Sequence, residues 1–570
     1  MFGLSEEEMH LKKQEKNERL LLKIILLLVM LKMVFVGSNS DEGYAIELCY
    51  RLAKGDLLIT QMWEPHQTSA IFGAILMRLY WVFTGGSSTG SVLFFHICGV
   101  ICQLSVAYFL YHVVKKELPE KLAFYLAIIY ALCWPKGVIA PEYSNLQNWF
   151  LTCMVLCLLL AKEKARYYCY AGACLACLVL AYPSMIILYP VVLLLIWKET
   201  DEEISKRSKW KATWCITGVC ACVAVAFIGY LFSYADVYEL SQGIKYILQD
   251  GSHSEGMAIR MGENLYYALE MLLRIGIYIV IAVLWCRFSK RHYNKRDILL
   301  ITLTISFGVQ VLYWLFRDEF VNQPQAEIVI MAIMGIVLLK KQSCSSSKYM
   351  IVCSVTGLIG TMILSNFKFT ELVVYLSLAS IGGVILWYQQ TDLEETDESK
   401  ETCKKPIILR LRMIMIIWII TLSFGRVWVT SQGGEMHTTL FEVRNIQKSG
   451  VGIGIFTDYM TGHRYNTVAS QWDELVNEGD AVLYVGPTSC YYMFGDNIIS
   501  APNTISTPTY DELIFEYWEM FPERYPDVVL VESCYGESVY ESDSFIIKWL
   551  DTQYQATEVF EKEYVRVYRK

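Results

Sequence analysis

Long apolar runs separated by short charged segments dominate the pattern along this chain of 570 residues. Each run is close to the roughly 17–25 residues that an α-helix needs to cross a hydrocarbon core about 30 Å thick. The pattern therefore predicts a polytopic α-helical membrane protein with about thirteen transmembrane helices. We place these helices at residues 20–37, 90–114, 121–136, 145–161, 167–182, 183–198, 211–233, 263–286, 297–316, 325–340, 348–364, 370–388 and 406–424.

The charges between the runs support this count independently. Lys and Arg are concentrated before the first run and then in every second loop. Loops rich in Lys and Arg stay on the cytoplasmic side of a membrane. We therefore expect a multi-pass protein of the cell membrane, with a cytoplasmic tail at 1–19, a transmembrane domain at 20–425 and an extracytoplasmic C-terminus. The first run lacks a small-residue cleavage site, so we expect a retained helix rather than a signal peptide.

Two of the predicted outer loops are long. The first, at 38–90, contains two amphipathic stretches that are too polar to span and are expected at the membrane interface. The fourth, at about 234–262, contains Gly and Ser and is a candidate for a mobile lid.

The segment 426–570 has shorter apolar runs and more charge than the rest. Helix patterns at 472–476 and 510–521 alternate with strand patterns at 481–486 and 527–531, which predicts an extracytoplasmic α/β domain with a mostly parallel sheet. Gly452-Ile453-Gly454 lacks the strand and helix context of a nucleotide-binding loop, so we interpret it as a turn before a strand. Cys490 and Cys534 could pair in an oxidising compartment.

Composition narrows the class of protein further. The chain is 54% hydrophobic and only 19% charged, and its net charge of −8 is spread over loops and tail. We see no basic stripe and expect no nucleic-acid partner. Most of the 18 cysteines lie inside apolar runs, where packing is the simplest explanation.

The acidic pair Asp41-Glu42 follows the first predicted helix and opens an amphipathic one. Asn39 and Ser40 suit the N-cap of that helix, and acidic side chains in a first turn favour its dipole. Capping is thus one explanation of the pair. Catalysis is compatible with it, because a helix N-terminus at the membrane surface also fixes where a carboxylate points.

The same loop contains a dense polar cluster. Glu64, His66, Gln67, Thr68 and Ser69 follow one another closely beside a Trp and a Pro. Taken alone, this is equally well a surface loop. Beside the acidic pair, it suggests one wall of a polar site.

These residues carry a specific resemblance. Asp-Glu-x-Tyr-Ala at positions 41–45, a Gly-Asp at positions 55–56 and a Glu-Pro element at position 64 resemble the first outer loop of the GT-C glycosyltransferases. This superfamily includes the protein O-mannosyltransferases and the aminoarabinose transferase of lipid A. The predicted topology and the outer α/β tail resemble the same superfamily over nearly the whole chain.

The resemblance implies a role for each part of the site. Asp41 takes the place of the catalytic acid, with Glu42 beside it, and Glu142 in the second outer loop takes the place of a second carboxylate. The donor would be a sugar on a polyprenyl phosphate, and the acceptor a hydroxyl on a protein, a lipid or a glycan. Asp41 would remove the acceptor proton as a general base. The aminoarabinose transferase has Glu-Lys-Pro where this chain has Glu64-Pro65-His66, so the phosphate contact of that lysine is missing here and His66 is the candidate substitute.

The leaving phosphate requires positive charge. Our candidates for this contact are Arg260, Arg274, Arg317 and Lys136, all predicted near the outer face. Arg274 could instead pair with Glu263 or Glu270 on its own helix. We expect no required metal or other cofactor, although Asp41 and Glu142 could hold a divalent cation as in the oligosaccharyltransferase relatives.

Two other functions fit the same pattern. A transporter or flippase of a lipid-linked molecule would show internal repeats, interrupted helices and charges near the membrane midplane. The sequence shows no clear repeat, and its polar clusters lie at one face. A catalytically dead relative used in assembly is the third alternative, which the presence of Asp41 weighs against only mildly.

Overall fold

The computed structural model describes most of the chain. The described residues are 6–37, 40–135, 137–199, 205–249, 257–289, 295–317, 325–339, 345–365, 368–393, 401–431, 437–486, 488–504, 513–534, 537–538, 545–553, 559–561 and 563–569.

Helices account for almost all of the first three quarters of the chain. They are α1 Glu6–Phe35, α2 Ser40–Lys54, α3 Ala70–Thr84, α4 Ser91–Val114, α5 Glu120–Leu132, α6 Tyr143–Ala161, α7 Tyr167–Ala181, α8 Leu188–Trp197, α9 Lys206–Leu231, α10 Val237–Leu248, α11 Met257–Phe288, α12 Lys295–Arg317, α13 Ala326–Leu339, α14 Ser345–Leu364, α15 Phe369–Leu372, α16 Ser377–Leu393 and α17 Glu401–Trp428. A 3₁₀ turn, Gln67–Ser69, precedes α3, a second, Pro183–Ile187, precedes α8, and a third, Val373–Leu376, joins α15 to α16.

Each of the thirteen predicted spans is mostly helical, although 183–198 and 370–388 also contain a 3₁₀ turn, and this confirms the polytopic α-helical fold class. Within the described residues, eight helices are long and apolar enough to cross a membrane, and three shorter apolar helices accompany them. The remaining predicted spans are the apolar half of α1 and the short α5. Helix α5 has 13 residues and is buried along almost its whole length. At about 1.5 Å per residue, α5 is shorter than the hydrocarbon core is thick. Its burial shows that neighbouring helices surround it.

The surface of the bundle is apolar. Helices α9 and α11 carry long stripes of exposed Val, Ile, Leu and aromatic side chains, whereas α6 and α16 are mostly buried. An exposed apolar area of this extent marks a surface that faces lipid rather than water. Helix α3 shows a smaller stripe of the same kind, made by Ile75, Leu79, Val82 and Phe83. Such a stripe is what an amphipathic helix in the loop 38–90 is expected to show.

Three predicted outer loops and the C-terminal region meet at one end of the bundle, which we call the domain side. The Trp63 amide donates to the carbonyl of Pro502 at 2.9 Å, and the Tyr234 hydroxyl donates to the carbonyl of Leu58 at 3.0 Å. Two segments that have an even number of spans between them must lie on the same side of a membrane. These contacts therefore agree with the alternation of the loops. The fourth predicted outer loop, at about 234–262, contains α10, and a capping box stabilises the N-terminus of this helix.

The second outer loop is pressed against α4 at a glycine. A Cβ on Gly99 would lie 1.8 Å from the carbonyl oxygen of Ile139. Only the missing side chain of Gly99 allows this approach. It fixes the position of Ile139 and Ala140, whose amides belong to the site described below.

The C-terminal region is a small α/β domain. Its strands are β1 Val429–Ser431, β2 His437–Thr439, β3 Val443–Ile446, β4 Phe456–Asp458, β5 Ala481–Val485, β6 Ile498–Ile499, β7 Val528–Cys534, β8 Glu537–Ser538, β9 Val559–Glu561 and β10 Val565–Arg569, with helices α18 Tyr459–Leu475, α19 Leu513–Met520 and α20 Phe545–Gln553. The turn at Gly452–Gly454 before β4 is as predicted. Cys490 carries a free thiol.

The prediction of a mostly parallel sheet was wrong. The main sheet has the order β6-β5-β7-β10-β9, and β5 pairs in parallel with β6 and β7. Strand β10 pairs antiparallel with both β7 and β9. The sheet is mixed because the C-terminal strands form a hairpin, which reverses direction without the crossover helix that a parallel strand requires.

Candidate active site

Asp41 and Glu42 occupy the first turn of α2, and they point to different surroundings. Asp41 is half-buried, and its carboxylate interacts electrostatically with Tyr143 at the start of α6. Glu42 is 3% exposed and is turned into the protein. Neighbours on a helix differ by about 100° in direction, so one acidic pair can serve two purposes.

Glu42 ties three segments together. One carboxylate oxygen accepts hydrogen bonds from the amides of Ile139 and Ala140, both at 2.8 Å, and the other lies 2.8 Å from Nε2 of His96 on α4. Burial alone would raise the pKa of Glu42, but the His96 contact and the two amides lower it below its ordinary value. Glu42 is therefore an ionised anchor between loop 38–90, the second outer loop and α4.

The protonation of His96 follows from its partners. Nδ1 lies 2.8 Å from the backbone carbonyl of Val34, which can only accept. The Glu42 carboxylate on the other side is also only an acceptor when ionised. Both ring nitrogens must then donate, so His96 is an imidazolium paired with Glu42.

His66 lies in an aromatic stack beside Asp41's partner. Its ring is parallel to that of Tyr143, with centroids 4.0 Å apart and an interplanar angle of 13°, and lies 5.2 Å from that of Tyr182. The carbonyl of His66 accepts from the amide and hydroxyl of Ser69, which fixes the backbone at the turn into α3. The polar cluster around His66 in the first outer loop and the second outer loop therefore meet at Tyr143.

Glu142 is the N-cap of α6. Its carboxylate accepts from the amides of Ser144 and Asn145, each at 2.9 Å, and from the Ser144 hydroxyl. It also acts electrostatically on Tyr143 and on Tyr375, which belongs to the 3₁₀ turn before α16. Asp41, His66, Glu142 and the phenols of Tyr143, Tyr182 and Tyr375 thus form one cluster at the domain side, which we call the Asp41 cluster.

Glu64 points away from the Asp41 cluster, although it is only two residues from His66. It is fully buried, and Nη1 of Arg51 donates to its carboxylate at 2.9 Å. Arg51 also binds Asp56 at 2.8 Å, and Asp56 in turn pairs with Arg524 of the C-terminal domain at 2.7 Å. Glu47 completes this set, 3.9 Å from Arg51. We call these five residues the buried charge network.

The buried charge network contains three carboxylates and two guanidinium groups. Burial is the main cause that raises the pKa of Glu47 to about 8 and that of Glu64 to about 7, while Arg51 acts in the opposite direction. Burial would also raise the pKa of Asp56, but its two arginine partners bring it below the ordinary value. The network therefore retains a proton near neutral pH, and it joins α2 to the C-terminal domain.

The predicted phosphate contacts are dispersed. Arg274 pairs with Glu270 on its own helix at 3.0 Å, which is the alternative that the sequence allows. Arg260 lies in the first turn of α11, and its carbonyl accepts from Asn264. Arg317 is the last residue of α12, and its side chain lies outside the described residues, as does Lys136.

Sequence reasoning missed several residues of this region. His96 had a usable signal, because an ionisable residue inside a predicted span usually has a functional or structural partner. Tyr182 and Tyr375 had none, since aromatic residues are common at helix ends. Lys368 is an exposed cation at the N-cap of α15, seven residues before Tyr375, and its ammonium lies 5.2 Å from the ring centre of Tyr267.

An apolar groove opens beside the Asp41 cluster. It has a volume of about 260 Å³ and runs between α7 and α9, with Leu175, Val179 and Phe227 among its lining residues. Thr68 and Pro183 also line the groove, and they are near neighbours in the chain of His66 and Tyr182. Because α9 is largely exposed on the bundle surface, the groove faces the lipid.

No group of three or more His, Cys, Asp or Glu side chains is arranged to hold a metal ion in the part of the chain that the structure describes. At the Asp41 cluster, both oxygens of Glu142 already bind the amides of α6.

Comparison with known proteins gives one family match. Residues 68–228 match the family described as dolichyl-phosphate-mannose-protein mannosyltransferase. The matched segment includes Glu142 and the groove and begins after His66. A search of curated proteins found no match.

Several solved structures are similar in outline. The oligosaccharyltransferase of Archaeoglobus fulgidus in complex with zinc and sulfate is 10% identical, with a TM-score of 0.47 over 90% of this chain and 68% of that chain. The archaeal oligosaccharyltransferase AglB from the same organism, in complex with an inhibitory peptide and a dolichol-phosphate, is also 10% identical, with a TM-score of 0.46 over 91% of this chain and 69% of that chain. ArnT from Cupriavidus metallidurans in the apo state is 10% identical, with a TM-score of 0.47 over 97% of this chain and 98% of that chain.

Residues 68–228 are therefore similar to a mannosyltransferase family, which agrees with the GT-C resemblance that the sequence indicates.

Proposed function

We propose that this protein transfers a sugar from a polyprenyl-phosphate donor to a hydroxyl acceptor at the outer face of the cell membrane. The observation that carries the proposal is the placement of the half-buried carboxylate of Asp41 beside Tyr143 and His66, next to a lipid-facing apolar groove. A polar centre at the end of an apolar groove suits a donor with a polar head and a long hydrocarbon tail.

Asp41 is the general base in this proposal. It is the acidic residue of the pair that remains partly accessible, whereas Glu42 is occupied by two amides and His96. The carboxylate removes the proton of the acceptor hydroxyl as the oxygen attacks the anomeric carbon. The bond between that carbon and the phosphate oxygen breaks, and the polyprenyl phosphate leaves with both bonding electrons.

Glu42 and Glu142 are positioning residues in this scheme. Glu42 holds the start of α2 against Ile139 and Ala140, and Glu142 sets the N-terminus of α6 where Tyr143 contacts His66. Tyr143 and His66 then form the wall on which the donor head group lies. Glu64 acts further away, by fixing Arg51 and the loop that leads to His66.

The polyprenyl chain occupies the groove between α7 and α9. Its lining is almost entirely apolar, and burying each methylene group stabilises the bound lipid by about 0.8 kcal/mol. The leaving phosphate needs a cation. His66 is one candidate, because it stacks on Tyr143 beside Asp41, Lys368 is a second one, and Arg260 remains a candidate on α11.

The orientation in the membrane is also part of the proposal. The concentration of Lys and Arg in alternate loops places the N-terminal tail 1–19 in the cytoplasm and the domain 426–570 outside. Asp41 then lies at the outer surface, where a polyprenyl-phosphate sugar would be consumed.

We propose that the reaction needs no metal ion. A divalent cation at this place would take its ligands from Asp41 and Glu142. Glu142 already uses both oxygens to cap α6, so the cation would have to compete with two amides and a hydroxyl.

Proteoliposomes that contain the purified protein and polyprenyl-phosphate mannose test the proposal. We expect release or transfer of mannose by the wild type, and a loss of at least about a hundredfold in Asp41→Asn, as is typical of a general base. Full turnover in Asp41→Asn would refute the catalytic assignment. Movement of the donor between leaflets without any release of sugar would favour the flippase instead.

A further inference from the structure

A second cavity lies on the domain side, away from the Asp41 cluster. It has a volume of about 430 Å³, within the usual range for small-molecule sites. Its walls come from the end of α2, the loop between α3 and α4 and the segment Met493–Asp496 of the C-terminal domain. We call it the interdomain cavity. We infer that it binds a sugar unit of a glycan acceptor, an inference that rests on the proposed function.

Two aromatic rings in fixed orientations line the interdomain cavity. Trp81 is half-exposed, its indole N–H donates to Ser88 at 3.2 Å, and its ring meets Tyr50 edge-on at 5.7 Å. Phe494 is held by edge-on contacts to Tyr465 at 5.3 Å and to Trp472 at 5.4 Å. Rigid aromatic faces bind the C–H face of a sugar ring without a large entropic cost, because few side-chain rotamers have to be frozen.

The polar groups of the cavity match hydroxyl groups rather than a charged ligand. Lys54 and Asp496 form an ion pair across it, and the Lys54 ammonium also donates to the carbonyl of Asn497 at 3.1 Å. The two side chains are 29% and 74% exposed, so their remaining donors and acceptors are available. The exposed hydroxyls of Ser87 and Thr89 add to them. Since the pair is neutral overall, the cavity is unsuited to a phosphate and suited to neighbouring hydroxyls.

The distance from Asp41 sets which part of the substrate the cavity can hold. Asp41 and Lys54 are separated by thirteen positions along α2, which corresponds to about 20 Å at 1.5 Å per residue. A hydroxyl that reacts at Asp41 cannot lie in the cavity at the same time. The cavity therefore holds a distal sugar of an acceptor that contains several sugars.

The membrane surface lies close to the cavity. The exposed apolar stripe of α3 ends at Phe83, and the lining segment Gly85–Thr89 follows directly. A glycan that lies along the outer membrane surface can therefore enter the cavity with one end and reach Asp41 with the other. Among the acceptor classes that the sequence leaves open, this arrangement selects an oligosaccharide or polysaccharide.

Ligand-observed NMR with the full chain in nanodiscs tests the inference. The probes are mannotetraose, maltotetraose and chitotetraose, each compared with its monosaccharide. We expect saturation transfer to at least one tetrasaccharide, with binding about tenfold weaker in Trp81→Ala, as for the truncation of an aromatic side chain that anchors a ligand, and also weakened in Asp496→Asn. Asp496 is mostly exposed, so its substitution should leave the fold intact even where Trp81→Ala does not.

The matched control is Trp210→Ala, a half-exposed tryptophan near the opposite end of the bundle, which should bind as the wild type does. Binding of no tetrasaccharide would overturn the inference, as would binding that neither Trp81→Ala nor Asp496→Asn changes. Binding of a Ser/Thr-rich peptide that depends on Trp81 would also overturn it. Donor hydrolysis without an acceptor separates the two proposals: Asp496→Asn should leave it unchanged, and Asp41→Asn should abolish it.

Discussion

Replacing Glu42 tests whether its carboxylate holds the site together. In Glu42→Ala, the buried amides of Ile139 and Ala140 lose the carboxylate oxygen that accepts from both of them, and His96 loses its counter-ion. Each unsatisfied buried donor costs about 1–3 kcal/mol. His96 can release its proton, which limits its share. We expect a loss of about 3–5 kcal/mol in the free energy of unfolding.

Glu42→Gln is the matched control because it keeps the shape of the side chain. The amide oxygen can accept from Ile139 and Ala140, and the amide nitrogen can donate to Nε2 of His96. This requires a neutral His96 whose Nδ1–H still donates to Val34, which the 2.8 Å contact allows. Every donor is then satisfied, so the loss should be about 1 kcal/mol.

Chemical unfolding in detergent, followed by the accessibility of buried cysteines, measures both variants. Cys49 on α2 is a suitable reporter because it is buried. We expect Glu42→Ala to unfold at clearly lower denaturant concentration and Glu42→Gln to stay close to the wild type. Equal stability of Glu42→Ala and the wild type would refute the anchoring role. Equal destabilisation by both substitutions would show that the charge matters rather than the hydrogen bonds.

Three further predictions follow from the charge network, the groove and the donor set. The pKa values of Glu47 and Glu64 are raised to about 8 and 7 in the folded protein, so these groups ionise first in the unfolded chain and the thermal midpoint should fall as the pH rises from about 5 to 8. Glu47→Gln should flatten this slope, whereas Glu478→Gln, at an exposed position, should not. Identical slopes in the wild type and both variants would contradict the role of the buried charge network. Ala224→Trp, which fills the groove, should raise the KM of a long-chain polyprenyl donor severalfold and leave the KM of a short-chain donor unchanged. Ala226→Trp is the control, because Ala226 is on the same helix but does not line the groove, and it should change neither KM. Chelation with EDTA should leave the initial rate of transfer unchanged, and activity restored only by added Mn²⁺ or Mg²⁺ would show that a cation does bind.

The helical part of the fold is predictable because membrane spans are encoded locally. Each apolar run forms its own backbone hydrogen bonds, so a run such as 90–114 is a helix whatever it packs against. The hairpin of β9 and β10 was not predictable in the same way. Val565–Arg569 has a strand pattern, but its direction depends on its pairing with β7, more than thirty residues earlier in the chain.

The site was only partly predictable for a similar reason. The motif at Asp41 and Glu42 predicts the start of an amphipathic helix, but nothing local says that Glu42 turns toward amides 97 and 98 positions away. Glu64 and His66 are neighbours in the sequence and belong to different networks, because the turn between them sends one side chain to Arg51 and the other to Tyr143. The partnership of Asp56 with Arg524 joins residues 468 positions apart. Such contacts are decided by packing, which a single sequence does not reveal.

The most direct test of the account compares the single-turnover rates of sugar transfer in Asp41→Asn and Glu42→Gln. General-base catalysis contributes about 10²–10⁴-fold, so Asp41→Asn should lose at least about a hundredfold while binding the donor normally. Glu42→Gln keeps its hydrogen bonds and should remain within about tenfold of the wild-type rate. A fast Asp41→Asn together with an inactive, well-folded Glu42→Gln would contradict the account and assign the catalytic role to Glu42.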